Sequence, residues 1–265
     1  MSRKVAFVTG ASNVTGRAIA IAFAKAGYDV GFTYTSNEQG AIDTLKAIEA
    51  AGAKGKYYYM NTRELEPSRK TLREFAAEFG PMDAMINNTG ITNVWRMLDV
   101  TEDQFNFLSA INIRGTYFMM QEAAKIMIEG GKKGFIINIT SVHAKGTFFG
   151  SSVYALTKAA ICRMTESAAL ELAPYGISVN AFAPGHVNML TSPNYSPEKV
   201  EEEKKGYAII SEQQPLHRWQ YPEEIGECVV FLASESARFI VGQTIFADGG
   251  IRIPLTTDLG WEKKK

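Results

Sequence analysis

Short runs rich in β-branched and aromatic residues recur along the chain, at Lys4–Val8, 30–34, Gly55–Tyr59, Ala84–Asn87, Phe135–Ile139, 178–181 and Thr244–Ala247. Most are apolar at successive positions, as expected of strands buried on both faces. Between them the apolar period lengthens to that of a helix: Ile19, Ala20, Phe23 and Ala24 within 16–26, then Ile42, Leu45 and Ile48 within 41–51. Gly27, Gly52, Gly80 and Gly176 follow four such helices, where a left-handed stop is wanted. Strand and helix in alternation predict an α/β fold, a doubly wound parallel sheet with its ligand crevice at the carboxyl ends of the strands. Two successive helical stretches, 102–113 and 116–130, break the alternation after the fourth strand.

A chain of 265 residues suits one core, so residues 1–265 are expected to form a single domain. Lys plus Arg and Asp plus Glu both number 28, giving a net charge of zero, and no bulk field gathers nucleic acid or anionic lipid. No apolar run approaches the roughly 18 residues of a membrane span, and the one after Arg3-Lys4 stops at Thr9. Cys162 and Cys228 are too few for a disulfide framework and too far apart for a zinc signature, so neither metal nor disulfide is expected. The expected compartment is the cytoplasm. The stretch 186–220 holds Pro193, Pro197 and Pro215 and the run Glu201-Glu202-Glu203-Lys204-Lys205. It reads as a solvated helix, as a substrate lid with Val200, Tyr207 and Ile210 turned inward, or as both.

Thr9-Gly10-Ala11-Ser12-Asn13-Val14-Thr15-Gly16 lies between the first strand and the first helix. Backbone N–H groups and a helix N-terminus in that setting can hold a pyrophosphate; a tight turn without a ligand is the plainer alternative. The second strand ends Tyr34-Thr35-Ser36-Asn37, hydroxyl-rich and without an acid until Glu38. An acid there would read a ribose 2′-hydroxyl, so NADP is favoured, with NAD also possible.

Tyr154 and Lys158 fall near the start of the helical stretch 153–173, on one face. A free phenol titrates near ~10, and a fixed ammonium beside it favours the phenolate. The same spacing also describes an ordinary surface pair. Ser141 follows the strand Phe135–Ile139, with its hydroxyl toward the crevice. Asn112 sits in an apolar helical pattern, either as a kink residue or as a member of the site. Taken in order with the glycine turn, Asn87-Asn88-Thr89-Gly90, Pro184-Gly185 and Phe246-Ala247-Asp248-Gly249-Gly250, these residues resemble the short-chain dehydrogenase/reductase family from Lys4 to about Gly250. One departure is Val14, where the family's Thr-Gly-x-x-x-Gly-x-Gly turn has its middle glycine. A β-branched residue disfavours positive φ, so the turn is expected to differ locally.

The resemblance implies a Rossmann fold and hydride transfer between a nicotinamide and a carbinol or carbonyl carbon. Tyr154 would be the acid/base, Lys158 would lower its pKa and hold the nicotinamide ribose, Ser141 would bond the substrate oxygen and Asn112 would hold a relay water. The implied cofactor contacts begin with Gly10, Ser12, Asn13, Thr15 and Gly16 in the turn. They continue with Tyr34, Thr35 and Ser36, then Asn61 and Thr62, then Asn88 and Gly90. Pro184, Gly185 and Val187 complete them beside Tyr154 and Lys158. A homotetramer is usual in the family, and Ala155, Ala159, Ala160 and Cys162 permit close helix packing.

Thr140-Ser141-Val142-His143-Ala144-Lys145 and Leu170-Glu171-Leu172-Ala173-Pro174-Tyr175-Gly176 are similar to the bacterial glucose 1-dehydrogenases, which implies a sugar or polyol substrate. His143 is a candidate polar wall, or an ordinary loop histidine. Trp95, Phe148, Phe149, Met189 and Trp219 are candidate apolar walls, or core and subunit contacts. A small alcohol or ketone is the expected partner. The alternatives are a 3-oxoacyl or hydroxysteroid reductase and a catalytically silent dinucleotide sensor.

Overall fold

A computed structural model describes residues 3–190 and 196–253. In chain order the strands are β1 (Lys4–Val8), β2 (Tyr28–Tyr34), β3 (Gly55–Tyr59), β4 (Ala84–Asn87), β5 (Phe135–Ile139), β6 (Ser178–Pro184) and β7 (Thr244–Ala247). The helices are α1 (Val14–Lys25), α2 (Glu38–Ala50), α3 (Leu65–Phe79), α4 (Glu102–Ser109), α5 (Thr116–Glu129), α6 (Ser152–Leu172), α7 (Pro197–Gln213) and α8 (Pro222–Leu232). All seven strands pair in parallel in the order β3-β2-β1-β4-β5-β6-β7. Two strands run longer than their apolar cores. β2 starts at Tyr28, and β6 continues to Pro184 because β7 pairs with it as far as Ala247.

Alternation within a strand builds the two faces. On β1, Ala6 and Val8 join Ile19, Phe23, Ile48, Ile225 and Val229 on one side. Val5 and Phe7 join Leu72, Phe75, Met119 and Ile126 on the other. At Gly31 the sheet and α3 meet so closely that a Cβ would lie 2.3 Å from the Phe75 ring. Gly27, Gly52, Gly80 and Gly176 all have positive φ, as their places after helices require.

Strand order reverses between β1 and β4, so the loops after these strands diverge and leave a crevice. The helix pair 102–130 is one continuous rod interrupted by a π-helical turn, Ala110–Gly115, which contains the fully buried Asn112. The stretch 186–220 is pinned at its base: Gln220 donates its N–H to the His186 carbonyl (2.7 Å), and Asn188 donates to that of Gln220 (2.8 Å). Buried Gln214 donates to the Asp248 carbonyl (2.9 Å), and Trp219 is also buried. The stretch is therefore better anchored than its prolines and charges imply. Residues 191–195 and the side chain of Ile210 lie outside the described residues, while Val200 and Tyr207 are half-buried.

Candidate active site

The glycine turn is shaped by contacts no side chain could share. Gly10 has φ +67°, and a Cβ on Gly16 would stand 2.2 Å from the Gly10 carbonyl oxygen. Asn88 donates to the Thr9 and Gly10 carbonyls (3.0 and 2.9 Å), and Gly10 donates its N–H to Thr33 Oγ1. Asn37 donates to the Ser12 carbonyl and to Asn13 Oδ1, closing the turn against α2. Val14 requires no positive φ: it is the first residue of α1, after Asn13 in extended backbone. The strain expected of a β-branched residue there does not arise. Thr15 follows it in the first helical turn, where N–H groups have no intrahelical partner. Arg17, which the sequence reading passed over, lines the same depression as Ser12 and Asn13.

Beyond β2, Thr35 Oγ1 donates to the Met60 carbonyl (2.7 Å), and Tyr34 is hydrogen-bonded to Glu38. The end of β2 is therefore not free of acid, as the order of residues suggested, because the first turn of α2 brings the Glu38 carboxylate back to Tyr34. Ser36 continues the same edge. The Asn61 amide turns to Glu64 (2.8 Å), and Thr62 is buried against Gly115. Gly185 follows Pro184 so close to Asp248 that a Cβ would meet its Cα at 2.8 Å, and Val187 bridges to Gln220.

Asn112, Ser141, Tyr154 and Lys158 converge at the carboxyl ends of β4 and β5. Lys158 is buried and donates to the Ile139 carbonyl (3.2 Å), with Nζ 5.6 Å from the Tyr154 ring centroid. No carboxylate compensates it, and burial pushes the ammonium down to about 8. Burial raises Tyr154, while a hydrogen bond with Ser141 pulls it back. Burial therefore holds the phenol above its ordinary range, against the lowering expected from the neighbouring ammonium. Asn112 Nδ2 donates to the Ile91 carbonyl (2.9 Å) and to Thr157 Oγ1 (3.0 Å), and its Oδ1 accepts from Ile91 N–H. Thr157 Oγ1 in turn donates to the Tyr154 carbonyl (2.7 Å), tying the π-helical turn to α6. Nothing in the sequence singled out Thr157, because its role is a contact across 45 residues. Gly90 completes the cluster: a Cβ there would lie 3.2 Å from Lys158 Nζ.

A row of rings leads away from Tyr154. His143 meets it edge-on at 5.1 Å, Phe148 meets His143 at 5.0 Å, and His186 stacks on Phe148 at 5.6 Å. Trp219 then lies 6.0 Å from His186, with Tyr207 beyond it at 5.2 Å. His143 Nδ1, both ring nitrogens of His186 and Trp219 Nε1 are buried without hydrogen-bond partners among the described residues. Trp95 bonds through its N–H to the Gly150 carbonyl (2.8 Å) and props the loop from below. Phe148 and Phe149 are exposed, and Met189 is half-buried beyond the Asn188 turn, outside the ring row. A cavity of about 390 Å³ opens between His143, Phe148 and His186.

A switch-point crevice, a turn that only glycine can form and a Tyr–Lys pair at its floor define a dinucleotide-binding oxidoreductase. The family described as enoyl-(acyl carrier protein) reductase matches residues 10–252. A short-chain dehydrogenase/reductase of Armillaria gallica is 37% identical, over 94% of this chain and 95% of that protein. A 3-oxoacyl-[acyl-carrier-protein] reductase of Staphylococcus aureus is 34% identical, over 94% and 98%. The crystal structure of acetoin dehydrogenase from Enterobacter cloacae superposes with a TM-score of 0.84 at 32% identity, over 95% of this chain and 96% of that one. The chain belongs to the short-chain dehydrogenase/reductase family, whose members work with nicotinamide dinucleotides.

Proposed function

We propose that this protein interconverts a small polar ketone and its secondary alcohol with NADP(H). The observation that carries the reading is the joint placement of Ser141, Tyr154 and Lys158 in one crevice beside the glycine turn. The turn suits the dinucleotide: Gly10 and Gly16 let it fold tightly onto Asn88 and Thr89 at the N-terminus of α1, where a pyrophosphate would be held, and Gly90, Lys158, Pro184 and Gly185 would hold the ribose and nicotinamide. The bound cofactor supplies the hydride. Tyr154 holds the proton for the substrate oxygen, Ser141 donates a hydrogen bond as charge grows there, and Lys158 binds the ribose hydroxyls and favours loss of the phenolic proton. Asn112, held by Ile91 and Thr157, orients the relay behind Lys158.

Arg17 beside Asn13 and the hydroxyls of Thr35 and Ser36 favour a 2′-phosphate, and Glu38 at Tyr34 opposes it. Titration should give NADPH the lower dissociation constant, with Glu38→Gln widening the gap; a tighter NADH reverses the reading. The unpartnered ring nitrogens and the likeness to an acetoin dehydrogenase support a hydroxylated or dicarbonyl substrate, a sugar or polyol included. Reduction of a 3-oxoacyl thioester is the second reading, supported by the likeness to the staphylococcal reductase. A cofactor-consumption screen over sugars, diketones, hydroxyketones and acyl thioesters with both nucleotides separates the two.

The stretch 186–220 acts as a lid whose base is fixed and whose α7 swings. A groove between α5 and α6, lined by Tyr117, Met120, Ile128 and Met164, is open to a second copy of the chain and supports assembly as a homotetramer. Light scattering that gives a monomer would refute it. Free Cys162 and Cys228 suit the cytoplasm.

A further inference from the structure

The cavity beyond His143 is walled by residues 142–148 after β5, His186 after β6, and Ile251 and Arg252 after β7. Among the described residues two cations line it, Lys145 and Arg252, and no carboxylate does. Lys145 makes no ion pair among the described residues. Arg252 gives only Nε to Asp248 (2.5 Å) and lies on the Phe246 ring at 3.8 Å. Asp248 is itself buried, and its other oxygen accepts from Gly250 N–H (3.0 Å). The carboxylate therefore stands behind the guanidinium and fixes it, and among the described residues the two terminal nitrogens have no hydrogen-bond partner. Toward Tyr154, His143 Nδ1 and both ring nitrogens of His186 are also unsatisfied among the described residues. Lys145 and Arg252 stand at the solvent-exposed rim of the cavity, and the histidine nitrogens are the buried polar groups that a ligand would complete.

We propose that the substrate carries an anionic group, a carboxylate or a phosphate, held by Lys145 and Arg252 while its carbonyl or carbinol lies at Tyr154 and Ser141. His143 and His186 bond the intervening oxygens. A guanidinium held flat by a ring and a buried carboxylate is preorganised for two anionic oxygens, and Lys145 adds a point charge. A neutral polyol would leave that arrangement unused. The proposal rests on the reading of Tyr154 given above.

The test uses pairs that differ in charge at one end: 3-oxobutanoate and its methyl ester, and dihydroxyacetone phosphate and dihydroxyacetone. In the unaltered enzyme the anionic member of at least one pair should have a kcat/KM higher by about tenfold or more, mainly through KM. Lys145→Gln and Arg252→Gln should each collapse that ratio, whereas Lys199→Gln on α7 keeps it. Whichever pair responds decides between carboxylate and phosphate. A second readout needs no turnover: malonate and inorganic phosphate titrated against tryptophan fluorescence in Tyr154→Phe should bind, with affinity falling about tenfold in Lys145→Gln. Anion binding that depends on Lys145 and Arg252 without any turnover leaves the anion site standing and removes the ketone reading. Turnover in which the neutral members do equally well, with ratios untouched by either substitution, overturns the anion site and leaves the chemistry. Anion binding that is absent, or that Lys145→Gln leaves unchanged, also overturns it.

Discussion

The two sides of the crevice are built differently. On the cofactor side, side chains bond backbone: Asn88 to the β1 turn, Asn37 to Ser12 and Thr44 to the Ala11 carbonyl (2.9 Å). These three side chains all have partners, and glycine stands where backbones touch. On the substrate side the loops after β5 and β6 meet through rings and leave several polar atoms unsatisfied among the described residues. A shared cofactor needs one fixed shape, whereas a substrate wall must be completed by whatever binds. The first side is stable without its ligand, and the second keeps its unpaired groups for one.

The comparison can be broken most sharply at the point where the sides meet. Tyr154→Phe removes only the hydroxyl and should lower kcat by about 100- to 10,000-fold, with the cofactor dissociation constant and unfolding midpoint nearly unchanged. Steady-state rates and a nucleotide titration on one preparation check this. Near-normal turnover would mean that the proton comes from elsewhere.

Lys158 gives the next effect, with opposite signs for activity and stability. Its folded pKa of about 8 lies below the ordinary 10.5, so below about pH 8 the folded protein carries a buried, uncompensated ammonium. Lys158→Met should therefore inactivate the enzyme yet stabilise the cofactor-free protein by about 2–3 kcal/mol at pH 7. Between about pH 8 and 10.5 only the unfolded chain retains the proton, so wild-type stability rises with pH and the advantage of the variant shrinks. Denaturant melts at pH 7 and pH 9.5 measure both.

Glycines sharpen the contrast further. Gly16→Ala places a methyl 2.2 Å from a carbonyl oxygen and should cost about 1–3 kcal/mol together with nucleotide binding. Gly206→Ala on α7 meets nothing within 4 Å and should stabilise by about 0.5–1 kcal/mol. Thermal unfolding of the two variants should shift in opposite directions. The smallest effect is dynamic. Amide exchange along α7 should be faster than in β1, β4 and β5 in the free protein, and should slow when nucleotide and a substrate analogue bind. Protection of α7 equal to that of β5 without ligand would make the stretch a fixed wall.

Much of the first side was legible in the residues. Apolar runs located the strands, the four glycines marked helix ends, and the order of motifs located Asn112, Ser141, Tyr154 and Lys158. The substrate side was less legible. Phe148, His143 and Trp219 do join one wall, but Trp95 and Met189 do not share the row of rings. Arg252 carried no signal, because a cation in a loop reads as solvated until its neighbours are known.

The sequence alone determined the alternation of strand and helix, which follows from local period, while the class of chemistry and the choice of Asn112, Ser141, Tyr154 and Lys158 rested on the family resemblance that their order carries. Only the tertiary structure decided how Glu38 returns to Tyr34, how Thr157 ties Asn112 to α6, and how burial sets the protonation of Tyr154 and Lys158. Those outcomes depend on distances between segments far apart in the chain and on the exclusion of water, and neither quantity is written in the order of residues.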